Sequence, residues 1–186
     1  MSVDPILTEA ESKMDKSVDA FNRELGSIRT GRANPGLIEK LMVPYYDTPT
    51  PLNALASISA PEPRLLVVQV YDRSQIASVE KAIRQSELGL NPANDGQVIR
   101  VPIPPLTEER RKEFVKLVRQ KAEDARVAVR NIRRDEIHRV EQMKKEGELA
   151  EDAVRRAESE LQRITDHHVH VIDGVASRKE AEVMEV

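Results

Sequence analysis

Apolar residues recur every three or four positions through Leu7, Ala10, Met14, Val18, Phe21, Leu25 and Ile28, the signature of one buried helical face. The same period returns at Val118, Ala122, Ala125, Val129 and Ile132, fails at Glu136, and resumes at Val140 and Met143. A third run, Val154, Ala157, Leu161, Ile164, His168, Val171 and Val175, keeps heptad spacing with His168 as its one polar member. These stripes predict helices over 6–30, 107–145 and 149–185, with Gly147 punctuating the join between the last two. A short join favours antiparallel neighbours, so the last two helices should form a long hairpin. The first helix cannot bury its stripe alone, and that hairpin is its natural partner.

Proline separates the helical flanks from the middle of the chain. Ten of the 11 prolines lie between Pro35 and Pro105, the other is Pro5, and none occurs in 6–30 or 106–186. Proline costs about 3 kcal/mol inside a helix, so long helices are confined to the flanks. Between them, Leu37–Tyr46, Ala54–Ser59, Leu65–Tyr71 and Val98–Ile103 read as strands broken by turn residues. A short helix over 75–87 is expected, with Ser74 as its N-cap and Gly89 closing it. The expected architecture is α+β: a discontinuous three-helix bundle from 1–30 and 106–186, carrying an inserted domain at 31–105. The crossings at Thr30-Gly31 and Pro104-Pro105-Leu106 form either a candidate hinge, with freedom at Gly31 and stiffness at the paired prolines, or a rigid elbow.

Charge sharpens this picture. The chain carries 29 Lys+Arg against 32 Asp+Glu, so the total does not point to nucleic acid, but the distribution does. Residues 107–145 hold 13 Lys+Arg against 8 Asp+Glu. At about 100° per residue, Lys112, Arg119, Arg126, Arg130 and Arg133 share a stripe roughly 60° wide beside the apolar seam, with Glu123 the one acidic intruder. A line of arginines suits a phosphate backbone, since each neutralised phosphate releases counterions and each guanidinium can donate in pairs. The competing reading is a solvated face tied by pairs such as Glu109–Lys112 and Asp135–Arg139. No Trp is present and neither Phe lies on the stripe, which favours structured RNA over stacked single strands.

Chemistry is not legible. No cysteine is present, which excludes disulfides and thiolate metal sites. No glycine is followed by lysine, so there is no P-loop, and neither a zinc-protease nor a serine-hydrolase motif occurs. Gly-Gly-Gln, which a peptidyl-tRNA-hydrolysing factor would carry, is also missing. His167, His168 and His170 fall on different helical faces, apart from the 167/170 pair, and do not make a metal set. The N-terminal residues lack the pattern of a signal peptide and no run approaches 18 apolar residues, so a cytoplasmic protein without membrane spans is expected.

Several longer strings carry a family resemblance. Ile28-Arg29-Thr30-Gly31-Arg32-Ala33, Tyr45-Tyr46, Thr48-Pro49, Leu88-Gly89-Leu90-Asn91-Pro92, Leu106-Thr107-Glu108-Glu109-Arg110-Arg111-Lys112 and Ala128-Val129-Arg130-Asn131-Ile132-Arg133-Arg134-Asp135 together resemble the ribosome recycling factor family over essentially the whole chain. The resemblance implies an elongated, L-shaped, two-domain protein whose insertion is β/α/β. It implies a monomeric translation factor that is not an enzyme and has no cofactor. Such a factor binds the large ribosomal subunit and its rRNA and, with elongation factor G and GTP hydrolysis, dissociates post-termination complexes into subunits. GTP would be bound by elongation factor G, which the inserted domain would face. Arg29, Arg32, Arg110, Arg130 and Arg133 match family motif positions and join Arg119 and Arg126 as expected rRNA-binding residues. One departure is Ala150, where the family often has a serine cap. Two rivals need less: a structural coiled coil would not require the arginine stripe, and an RNA-modifying enzyme would need a titratable pocket.

Overall fold

The computed structural model describes residues 2–185. The chain divides into two compact units, Met1–Ile28 with Glu113–Ala181 and Arg29–Lys112 with Glu182–Val186. The boundaries therefore differ from those read at 30/31 and 105/106. Residues 106–112 and the C-terminal stretch group with the sheet unit. There the Arg32 guanidinium donates to the Glu185 carboxylate at 2.5 Å.

The first unit is helical. α1 spans Asp4–Gly26 and tolerates Pro5 because the first helical turn has no intrahelical partner for its N–H groups. Its buried face is Ile6, Ala10, Met14, Val18, Phe21 and Leu25, and Ile28 stays buried beyond the helix end. α4 spans Glu108–Lys145 and α5 spans Glu151–Met184. Arg139 reaches Glu9, Lys13 reaches Glu136, and Lys121 reaches Glu24, so α1 runs antiparallel to α4. His168 meets Asp15, while Ile6 packs with Val154 and Ala157, so α1 runs parallel to α5.

In α5 the buried seam follows Val154, Ala157, Leu161, Ile164 and His168, then turns to Ile172 and Ala176. The expected Val171 and Val175 are only half-buried. A straight helix has 3.6 residues per turn and drifts from a strict heptad, so one step of four replaces a step of three. Glu136, where the stripe of α4 failed, is nonetheless only 3% exposed. Its carboxylate accepts from Lys13 Nζ at 2.7 Å and from Arg139 at 3.4 Å. The same two cations hold Glu9, and their hydrogen bonds lower its carboxyl from 4.5 to about 2. A carboxyl lowered on folding stabilises the native state above its unfolded pKa and loses that contribution as pH falls through the folded value. The thermal midpoint should therefore drop between pH 4.5 and about 2, and Glu9→Gln should flatten that part of the pH profile measured by circular dichroism.

The α4–α5 turn is closed by Gly147 at φ +76°. Gly147 N–H donates to Lys144 O and Glu148 N–H to Met143 O, the paired bonds of a Schellman ending. Lys144 also pairs with Glu151 across the turn. Gly147→Ala should cost about 1 kcal/mol and lower the thermal midpoint by about 2–4 °C, because alanine is strained in the left-handed region. At the start of α5, Ala150 supplies no side-chain cap. Leu149 and Val154 lie in one buried cluster instead, at the positions of a hydrophobic staple.

In the sheet unit, β1 (Met42–Tyr45) and β2 (Thr48–Pro51) form an antiparallel hairpin. β3 (Ala56–Glu62), β4 (Leu65–Val70), β6 (Ile99–Pro102) and the two-residue β5 (Ala93–Asn94) make an antiparallel sheet in the order β3-β4-β6-β5. Leu66, Val68 and Val70 of β4 and Ile99 and Val101 of β6 point to a core shared with Ile76, Val79 and Ile83 of α3, which spans Ile76–Gln85. The single strand expected over Leu37–Tyr46 is instead a 3-10 turn at Pro35–Leu37 followed by the shorter β1. Pro35 and Gly36 favour a turn over extension there. The strand expected at Ala54 begins at Ala56, because Leu52–Leu55 forms one helical turn, α2. The expected cap Ser74 is itself a donor: Asp72 accepts from both its N–H and its hydroxyl, opening a 3-10 turn before α3. Among the described residues no helix is long and apolar enough to cross a membrane.

Candidate RNA-binding surface

The cationic stripe of α4 exists, but most of it is answered by carboxylates. Arg119 forms a two-bond fork with Glu180 of α5, Nε at 3.2 Å and Nη2 at 3.1 Å. Seven residues on, Arg126 donates to Asp173 of α5 at 2.8 Å and to Glu123 at 2.8 Å. These carboxylates raise both guanidinium pKa values. The seven-residue spacing of Arg119 and Arg126 meets the seven-residue spacing of Asp173 and Glu180, as antiparallel helices require. Lys112 pairs with Glu108 at 2.8 Å rather than with Glu109. Arg139, expected to pair with Asp135, is held by Glu9 and Glu136.

Within the stripe, Arg130 and Arg133 are the least compensated among the described residues. Arg133 donates to the neutral Gln162 at 2.7 Å, and Arg134 to the neutral Asn131 at 3.0 Å. Among the described residues Arg130 meets only Glu123, at 3.6 Å, and Glu123 is already shared with Arg126. Among the described residues, these three guanidiniums have a single carboxylate within 4 Å, the Glu123 that Arg130 shares with Arg126, and the Arg130 side chain is 48% exposed. Guanidiniums with donors to spare on a rigid helix can grip phosphate oxygens without prior reorganisation. The sequence located the stripe, whereas its electrostatic centre depends on which α5 residues lie opposite.

The other expected site residues lie in the sheet unit. Arg29 donates to Leu88 O at 3.5 Å and to Pro104 O at 3.4 Å, tying the outgoing chain to the returning one. Arg32 is paired with Glu185. Arg110 lies in the first turn of α4, where its N–H donates to the Thr107 hydroxyl and Thr107 caps the helix. In the expected hinge, Thr30 and Leu106 are buried and the Thr30 hydroxyl accepts from the Arg32 N–H. Gly31 does not adopt positive φ, and a Cβ there would meet only Glu185 O at 3.9 Å. Its value as a glycine is therefore not a left-handed backbone. His168 is buried, with Nδ1 on Ile164 O and Nε2 on Asp15, each at 2.7 Å, while His167 and His170 are exposed.

A helical bundle interrupted in sequence by a β-rich unit, with sparsely paired arginines midway along its longest helix, defines the structural class. The family description "Ribosome recycling factor" matches residues 21–184. The chain is 58% identical to the ribosome-recycling factor of Geobacillus kaustophilus over 97% of its own length and 98% of that protein. It is 53% identical to that of Thermomicrobium roseum over 99% of its length and the whole of that protein. A solution structure of the ribosome recycling factor superposes with a TM-score of 0.77 at 41% identity, covering 100% of this chain and 99% of that one. Another, the T. thermophilus ribosome recycling factor placed with E. coli elongation factor G on the E. coli post-termination complex, gives a TM-score of 0.68 at 47% identity with full coverage of both. The chain belongs to the ribosome recycling factor family.

Proposed function

We propose that this chain binds the large ribosomal subunit through its rRNA and, with elongation factor G and GTP hydrolysis, dissociates post-termination complexes into subunits. The observation that carries this reading is the full-length likeness to a relative placed with elongation factor G on the post-termination complex. The α4 arginines supply the physical means. Arg130, Arg133 and Arg134 are the primary phosphate contacts, while Arg119 and Arg126 are secondary because their charge is already shared. Arg29 and Arg32 organise the chain crossings around Thr30, Gly31, Pro104, Pro105 and Leu106, and Arg110 joins the RNA-facing set. The chain acts as a cytoplasmic monomer, performs binding and mechanical work and holds no cofactor; elongation factor G binds the GTP and meets the sheet unit. Co-sedimentation with purified large subunits tests the binding half directly. Saturable, salt-sensitive pelleting supports it, and pelleting no greater than with an unrelated acidic protein contradicts it.

A further inference from the structure

All three tyrosines of the chain gather at one corner of the sheet unit. Tyr45 and Tyr46 meet edge-on with ring centroids 4.6 Å apart. Tyr46 and Tyr71 are 67% and 69% exposed. Tyr45 and Tyr71 line a cleft of about 250 Å³ with Ala54, Leu55, Val70, Asp72 and Gln75. Asp72 is the only charged residue of that lining. Hydrogen bonds from Ser74, and a weaker one from the Tyr46 hydroxyl at 3.2 Å, lower its pKa and keep it anionic.

The backbone gives a second, independent sign. The turn of the β1–β2 hairpin puts Tyr46 at φ +46° and Asp47 at φ +64°. Glycine or asparagine is the unstrained choice for such a turn, and a bulky ring in the left-handed region is an outlier. Strain of this kind persists where it serves a displayed side chain. Here it holds the Tyr46 ring against Tyr45 and its hydroxyl on Asp72.

We propose that the tyrosine corner is a docking site for an arginine or lysine side chain presented by a protein partner. The aliphatic stem would lie over Ala54, Leu55 and Val70, the cation would face the tyrosine rings, and Asp72 would carry the opposite charge. Tyrosine is enriched among the residues that anchor protein interfaces. The same rings could stack on nucleobases, but Asp72 inside the cleft and Asp47 on the turn repel phosphate, so charge complementarity selects a cationic protein.

The test uses the full-length, isotope-labelled chain and the peptide acetyl-Gly-Arg-Gly-amide, with its neutral citrulline counterpart and uridine monophosphate as controls. Expected are saturable amide shifts at Tyr45, Tyr71 and Asp72 with the arginine peptide alone. Asp72→Asn, which keeps an acceptor for Ser74, should weaken the affinity about three- to tenfold, as should Tyr71→Ala, while Tyr71→Phe retains it. Undispersed spectra of Tyr71→Ala would leave Asp72→Asn and the citrulline control to decide. Equal shifts with citrulline, shifts with the nucleotide at these residues, no saturable shift, or unchanged affinity in Asp72→Asn would overturn the proposal.

Discussion

Arg133→Glu is expected to weaken binding to the large ribosomal subunit about 30- to 100-fold, with the helical circular dichroism unchanged. Among the described residues the side chain bonds only to Gln162, so reversing it would remove the proposed phosphate contact and add a repulsion without opening the core. Arg133→Ala should cost less and make the salt dependence of binding shallower by about one unit of slope. Arg119→Ala provides the contrast. Its fork to Glu180 already spends part of its charge on α5, so its loss should affect binding less than the loss of Arg133. Equal binding by wild type and Arg133→Glu across a salt series would return the stripe to a solvated, ion-paired face.

The largest effect on folding is expected from Phe21→Ala. Phe21 is 3% exposed on the buried face of α1, and truncating such a ring removes about 3–5 kcal/mol. That is a large share of the roughly 5–15 kcal/mol by which domains are stable. The core around Leu66, Val68, Ile83 and Ile99 contains only residues of the sheet unit. Amide protection in β4 and β6 should therefore fall little in Phe21→Ala, while protection in α4 and α5 falls strongly. A uniform loss of protection through both units would show that they do not unfold separately.

The helices were legible because long amphipathic stripes state their own period. Even there, Val171 and Val175 gave way to Ile172 and Ala176, since heptad spacing and the true helical pitch diverge over several turns. Glu136 marked itself by breaking its stripe, but only the packing of α1 shows that Lys13 and Arg139 satisfy it. The sheet unit was harder. Its prolines and turns make short segments whose ends depend on tertiary pairing, so the Thr48–Pro51 strand and the Tyr46-Asp47 turn carried no local signature. At the candidate site the sequence placed the arginines on one face. It could not place Asp173, Glu180 and Gln162 opposite them, which decides where positive charge remains.

The proposed activity is the separation of ribosomal subunits by this chain together with elongation factor G and GTP. Stopped-flow light scattering of post-termination ribosomes tests it most directly, because separation into subunits lowers the scattered intensity. A fall is expected only when the chain, elongation factor G and GTP are all present, with a slower fall for Arg133→Glu at limiting concentration and none with a non-hydrolysable GTP analogue. Constant intensity under saturating wild-type chain, elongation factor G and GTP would contradict the account.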